Sequence, residues 1–175
     1  RAIQDAHKAY PQAEILYRFI GVTPGSSDGR SLLDSLCHEL SRRYGADVTN
    51  IPTDYRDLVP ELGKRMALAT GDKPLILFLD SLDQLSNSQN ARSLIWLPSE
   101  LPEHVYVITT TRPEDTLKAM QSKQSLELEL GGLTRREGED LLSQWLSGVN
   151  RTLQPTQFQQ VMDKFECIGA PPGVE

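Results

Sequence analysis

Cysteine, histidine and long apolar runs are all scarce in this 175-residue chain. The 2 cysteines, Cys37 and Cys167, stand far apart without metal-type spacing, which excludes a zinc-type site. The 3 histidines, His7, His38 and His104, include no pair at ligand spacing and are assigned neither metal nor catalysis. No run approaches a membrane span and none has the form of a signal peptide, so a reducing intracellular compartment, the cytoplasm, is expected. In that compartment the glycosylation-type triplet Asn150-Arg151-Thr152 is expected to be idle. Basic charge is also short: 18 Lys plus Arg stand against 24 Asp plus Glu, a net charge of -6. That balance argues against nucleic acid as a partner. Repeats and low-complexity segments are absent. So is any G-x-x-x-x-G-K-[ST] loop, the backbone cradle with which many nucleotide-binding chains hold phosphate.

What is present reads as a soluble globular protein, 38% hydrophobic and 24% charged, large enough for one ordinary domain and the beginning of a second. The organising stretch is Pro74-Leu75-Ile76-Leu77-Phe78-Leu79-Asp80-Ser81-Leu82-Asp83-Gln84-Leu85. Its five consecutive apolar residues, Leu75 to Leu79, follow the turn signal Gly71-Asp72-Lys73-Pro74, and such a run predicts a strand buried on both faces. Burial on both faces implies a parallel sheet covered by helices, which places ligands at the carboxyl ends of its strands. Asp80 falls at that end. A carboxylate there needs a partner, and hydrated Mg²⁺ is one; Asp83 can return to the same spot on a tight turn. The alternative is a core strand whose Asp80 starts an Asx turn or caps a helix.

Other segments fit the same scheme. Residues 2–10 read as a short helix, and 14–22 as a strand ended by the Gly/Ser/Pro-rich loop 23–29. Ser31-x-x-Asp34 is a weak capping box before a helix with Leu32, Leu33, Leu36, Cys37, Leu40 and Tyr44 on one face, Cys37 being read as a buried thiol. Thr53 or Asp54 opens a second helix, in which Pro60 predicts a kink or a start. A short amphipathic helix is expected over 89–97. Val105 to Pro113 reads as a second buried strand that turns polar at Thr109-Thr110-Thr111-Arg112. Pro113 disfavours a helical Arg112, so the guanidinium projects from a strand end beside Asp80, as an ion-pair partner or a phosphate sensor. Leu126-Glu127-Leu128-Glu129-Leu130 alternates and predicts a strand near the sheet edge. Thr134-x-x-Glu137 is a capping box for a helix bearing Leu141, Leu142, Trp145 and Leu146. A last helix over 156–165 turns Phe158, Val161, Met162 and Phe165 inward. The alternation of strands and helices predicts an α/β fold with a parallel sheet and helices on both faces.

The segment Leu75–Leu85 resembles the Walker B segment of the NACHT family of signal-transducing (STAND-class) P-loop NTPases. Thr109-Thr110-Thr111-Arg112-Pro113 resembles that family's sensor 1. Arg18-Phe19-Ile20-Gly21 with the Gly-Ser-Ser-Asp loop is similar to the second strand of NACHT proteins that carry WD repeats, and Leu130 to Trp145 to the passage out of the nucleotide domain. The resemblance implies a P-loop NTPase-like sheet over residues 1–132 and the start of a helical subdomain over 133–175. It implies Mg²⁺ and ATP or GTP as cofactors in the complete domain, with Asp80 holding Mg²⁺ through water. Asp83 would orient or deprotonate the attacking water and Arg112 would sense the γ-phosphate. Gln84 stands where the family often has Glu, which fits a slow switch better than a fast hydrolase. The remaining partners implied are other domains of the parent chain, WD repeats among them, and a possible homo-oligomer. With Arg1 as its first residue and no Gly-Lys loop, the chain is expected to begin after that loop and to be inactive alone. Two other readings are an α/β protein-interaction module without hydrolysis and an AAA+ type ATPase acting on nucleic acid, which the acidic balance disfavours.

Overall fold

The computed structural model of the chain describes residues 2–23, 25–123 and 125–169. They divide into two compact units between Leu126 and Glu127. In the first, helix α1 (Ala2–Ala9) precedes strand β1 (Glu14–Phe19). Helices α2 (Gly29–Tyr44) and α3 (Tyr55–Met66) lead to β2 (Leu75–Asp80), and β3 (Val105–Thr109) is followed by α4 (Asp115–Gln121). The three strands form one parallel sheet in the order β1-β2-β3, with Leu16, Leu77 and Val107 in register across it. The parallel α/β architecture expected from the sequence is therefore the one observed.

The core lies between one face of this sheet and the two long helices. Leu16, Leu75, Leu77 and Leu79 meet the stripe Leu32, Leu33, Leu36, Cys37 and Leu40 of α2 and Leu58, Leu62 and Met66 of α3. Burying these side chains supplies the main stabilisation of the unit. On the other face Tyr17, Phe19, Tyr106 and Ile108 are about half exposed, so β3, expected as a second buried strand running to Pro113, ends at Thr109 and is covered mainly on one face. Leu77 sits in the middle strand, so the segment that ends in Asp80 is held from both sides by hydrogen-bond ladders.

Helix ends follow local chemistry with one change from expectation. The α2 cap is Asp28, in extended backbone, whose carboxylate accepts from the Ser31 backbone N–H and hydroxyl, both at 2.8 Å. The Ser31/Asp34 box does not form, because Ser31 already lies inside the first turn. Gly45 closes α2 in the left-handed region, at φ 69°. Asp54 starts α3. Pro60 lies inside that helix rather than at its start, removing the N–H that would have met the Arg56 carbonyl.

Two further expectations are corrected. Residues 89–97 do not form an amphipathic helix: Ser88–Ser93 make 3-10 turns broken by left-handed Gln89 and Asn90, and Leu94 is left-handed as well. The Trp96 indole donates to the Ala91 carbonyl at 2.9 Å, taking an acceptor that a helix would need. Ala91, Leu94, Trp96 and Leu97 are nonetheless buried, so the apolar spacing served packing without regular structure. Residues 126–130 form no strand, and Leu126, Leu128 and Leu130 are exposed (82–100%). Alternation supplies a face but no ladder partner, and a strand without one is not stable in water.

The second unit contains α5 (Arg135–Gly148) and α6 (Pro155–Gly169). Thr134 and Glu137 form the expected reciprocal capping box. Gly138 is buried against the Phe165 ring, where a Cβ would stand 2.7 Å from Cε1. Met162 is buried, but Val161, expected to turn inward, is 42% exposed, and Trp145 of α5 is 68% exposed.

Candidate functional site

The polar residues begin where the ladder of β2 and β3 ends. After Asp80, Ser81 takes a left-handed conformation (φ 63°, ψ 53°) that reverses the chain into a single 3-10 turn, Leu82–Gln84. A serine there is strained relative to glycine. The strain is held by bonds to the neighbouring strand end. The Ser81 N–H donates to Thr110 Oγ1 at 2.9 Å, and the Leu82 N–H donates to the Thr110 carbonyl at 2.9 Å. Thr110 Oγ1 in turn donates to Asp80 Oδ1 at 2.6 Å. Thr110 thus fixes the Asp80 carboxylate against the end of β3, while Asp80 Oδ2 accepts no hydrogen bond among the described residues.

The tight turn brings Asp83 back to the same strand ends. Its side chain is only 4% exposed. Oδ2 accepts from Arg112 Nε at 2.9 Å and from Gln84 Nε2 at 2.6 Å, and Oδ1 accepts from the Arg112 backbone N–H at 3.3 Å. Burial pushes the Asp83 carboxyl upward, but the bonds from Gln84 and Arg112 outweigh it and hold the group below the usual aspartate range. The hydrogen bond and charge of Asp83 raise Arg112 further, so the guanidinium stays ionised. The Arg112 side chain is 68% exposed and uses Nε for this pair. Its two terminal Nη nitrogens make no hydrogen bond among the described residues. Ser81, Asp83, Gln84, Thr110, Thr111 and Arg112 line one open crevice.

Asp80, singled out from the sequence, ends β2, and Arg112 follows the end of the neighbouring parallel strand β3 by three residues, in the loop after it. Arg112 pairs with Asp83 and not with Asp80. Thr110 was not recognised beforehand as a partner of Asp80. The only signal was three hydroxyl residues following an apolar run. Gln84 was noticed for what it replaces, not for the bond it makes to Asp83. The donor set suits a hydrated Mg²⁺, which takes one or two carboxylates and keeps several waters. No group of three or more His, Cys, Asp or Glu able to form an all-protein cage occurs among the described residues.

Chain topology and site together define an α/β chain with an acidic and arginine-bearing crevice at its strand ends. No protein-family model matches it. It is similar to "NACHT and WD repeat domain-containing protein 2" of Mus musculus, 34% identical over 165 residues that are 90% of this chain and 9% of the mouse protein. The Homo sapiens protein of that name is 31% identical over 152 residues, 84% of this chain and 9% of the protein. "NACHT domain- and WD repeat-containing protein 1" of Homo sapiens is 28% identical over 164 residues, 88% of this chain and 10% of the protein. The chain is a homologue of the NACHT and WD repeat domain-containing proteins. It spans about a tenth of their length.

Proposed function

We propose that this chain is part of the nucleotide-binding domain of a signalling switch or scaffold, and that it contributes the metal carboxylate and the phosphate-sensing arginine. The observation that carries the reading is the placement of Asp80 at the end of β2 and Arg112 in the loop just after the adjacent parallel strand β3, each backed by a fixed partner, Thr110 or Asp83. Homology to proteins named for NACHT and WD repeat domains supports the class. Asp80 is assigned to Mg²⁺ through water, Asp83 to positioning the attacking water and Arg112 to the γ-phosphate of ATP or GTP. A bound Mg²⁺ would neutralise charge on the phosphates. Thr110 keeps the Asp80 carboxylate in one rotamer, so the oxygen left over faces one place. Arg112 presents a planar donor fork, the geometry that suits phosphate oxygens. WD repeats and other domains of a longer parent, and further copies of it, are the proposed partners. Among the described residues no helix is long and apolar enough to cross a membrane, which fits the cytoplasm as the proposed location.

The closest rival is an interaction module that keeps the fold without hydrolysis. Asp83 favours it in one respect, since the bonds it accepts from Arg112 and Gln84 occupy it in this conformation. The test is calorimetric titration of Mg-ATP and Mg-GTP into the full-length parent protein and its Asp80→Asn and Asp83→Asn variants. Asp80→Asn should weaken Mg²⁺-dependent binding by about tenfold or more. Asp83→Asn should retain Mg²⁺-dependent binding and slow hydrolysis. Binding untouched by Asp80→Asn would refute the metal assignment, and binding without hydrolysis in the unmodified protein would favour the module.

A further inference from the structure

We propose that Gln84 is the residue that aims Arg112: its amide holds Asp83 in the position from which that carboxylate grips the guanidinium by Nε. The proposal rests on the reading of Arg112 as the phosphate-sensing group. A carboxylate oxygen can only accept, so the Gln84 group 2.6 Å from Asp83 Oδ2 is the amide NH₂, acting as donor. Gln84 is itself confined. It closes the 3-10 turn after β2, and its Cβ and Cγ lie against Gly21 at the end of β1, where a Cβ on residue 21 would stand 2.8 and 3.1 Å from them. The order of dependence runs from the end of β1 through Gln84 and Asp83 to the loop after β3. Three elements of the sheet thus set one side chain.

The chemistry of position 84 matters because Asp83 is buried. Both of its oxygens are engaged by protein donors, which set its orientation: the Gln84 amide, the Arg112 backbone N–H and Arg112 Nε. Arg112 is mostly exposed and has many rotamers of its own. Anchoring it at Nε removes much of that freedom and leaves Nη1 and Nη2 as a pair for two oxygens of a terminal phosphate. A neutral donor at position 84 is compatible with this arrangement. A glutamate there would set a second carboxylate against Asp83 and drive the two apart, and a methionine would keep the volume but lose the donor.

The experiment uses the full-length parent protein and measures the affinity ratio of Mg-ATP to Mg-ADP, or of the guanine pair if that binds better. Loose packing lowers both affinities together, whereas misaiming of Arg112 lowers the triphosphate alone. Gln84→Glu should reduce the ratio about tenfold and Gln84→Met about threefold, the range for one lost hydrogen bond. Arg112→Ala should reduce it at least as far as Gln84→Glu. An unchanged ratio in both Gln84 variants beside a collapsed ratio in Arg112→Ala would overturn this inference alone. Equal losses of triphosphate and diphosphate in the Gln84 variants would overturn it too, by showing a general structural role. An unchanged ratio in Arg112→Ala, or no nucleotide binding by the unmodified protein, would overturn the underlying assignment together with the inference.

Discussion

Replacing Gly21 by alanine tests the contact on which the crevice depends. Gly21 follows β1 at φ +83°, a region costly for L side chains, and the new Cβ would stand 2.8 Å from Gln84 Cβ. Backbone conformation alone costs about 1–2 kcal/mol. Pressing a methyl into a fixed neighbour adds about 1–3 kcal/mol, so Gly21→Ala should destabilise the first unit by about 2–5 kcal/mol. Gly45 is a natural control: it too is left-handed, at φ +69°, but no atom lies within 4 Å of its hypothetical Cβ. Gly45→Ala should show the backbone cost only, about 1–2 kcal/mol. Urea unfolding followed through the fluorescence of Trp96, 1% exposed in the first unit, reads both losses. In a Gln84→Gly background the excess at Gly21 should vanish, as coupling of neighbours requires. If Gly21→Ala costs no more than Gly45→Ala, the packing of Gln84 on β1 is wrong, and the chain of contacts to Arg112 loses its first member.

Two further outcomes follow from the buried groups. Burial pushes the Cys37 thiol up to about 12 and the side chain has no exposed surface, so Cys37 should resist iodoacetamide at pH 8 in the folded protein and label fully in urea, as peptide mapping by mass spectrometry will show; labelling at a free-thiol rate without denaturant would contradict the packing of α2 against the sheet. Asp83 has a lowered carboxyl, so its contribution to stability is present above the unfolded value of about 3.9 and is lost as pH falls through the folded value below it. Asp83→Asn should therefore flatten the fall in urea midpoint below about pH 4, and an acid dependence identical to that of the unmodified chain would contradict the bonds drawn to Asp83.

The parts legible in the sequence were those set by burial period. The run Leu75–Leu79 and the stripe Leu32, Leu33, Leu36, Cys37 and Leu40 announce themselves because all of those side chains except the half-buried Phe78 are buried. The same logic failed at 126–130 and 89–97. In the first, alternation named a face with no strand to pair with; in the second, apolar spacing survived in a backbone bent by left-handed residues. Periodicity reports which side chains avoid water, and it is silent on where backbone hydrogen bonds go.

The polar cluster at the strand ends was legible only in outline for a related reason. Asp80 and Arg112 could be placed because Asp80 ends an apolar strand and Arg112 closely follows another. Their partners could not, because Thr110 meets Asp80 from 30 residues away and Arg112 meets Asp83 from 29. Only the parallel register of β2 on β3 brings those pairs together. The left-handed Ser81 then decides which carboxylate turns back. An extended chain would instead carry Asp83 on beyond the end of β2. With the reversal in place, Thr110 takes Asp80 and the arginine takes Asp83. The consequence for charge is specific: the cation is paired to the carboxylate assigned to water, not to the one assigned to metal, so Asp80 Oδ2 stays without a competing protein donor.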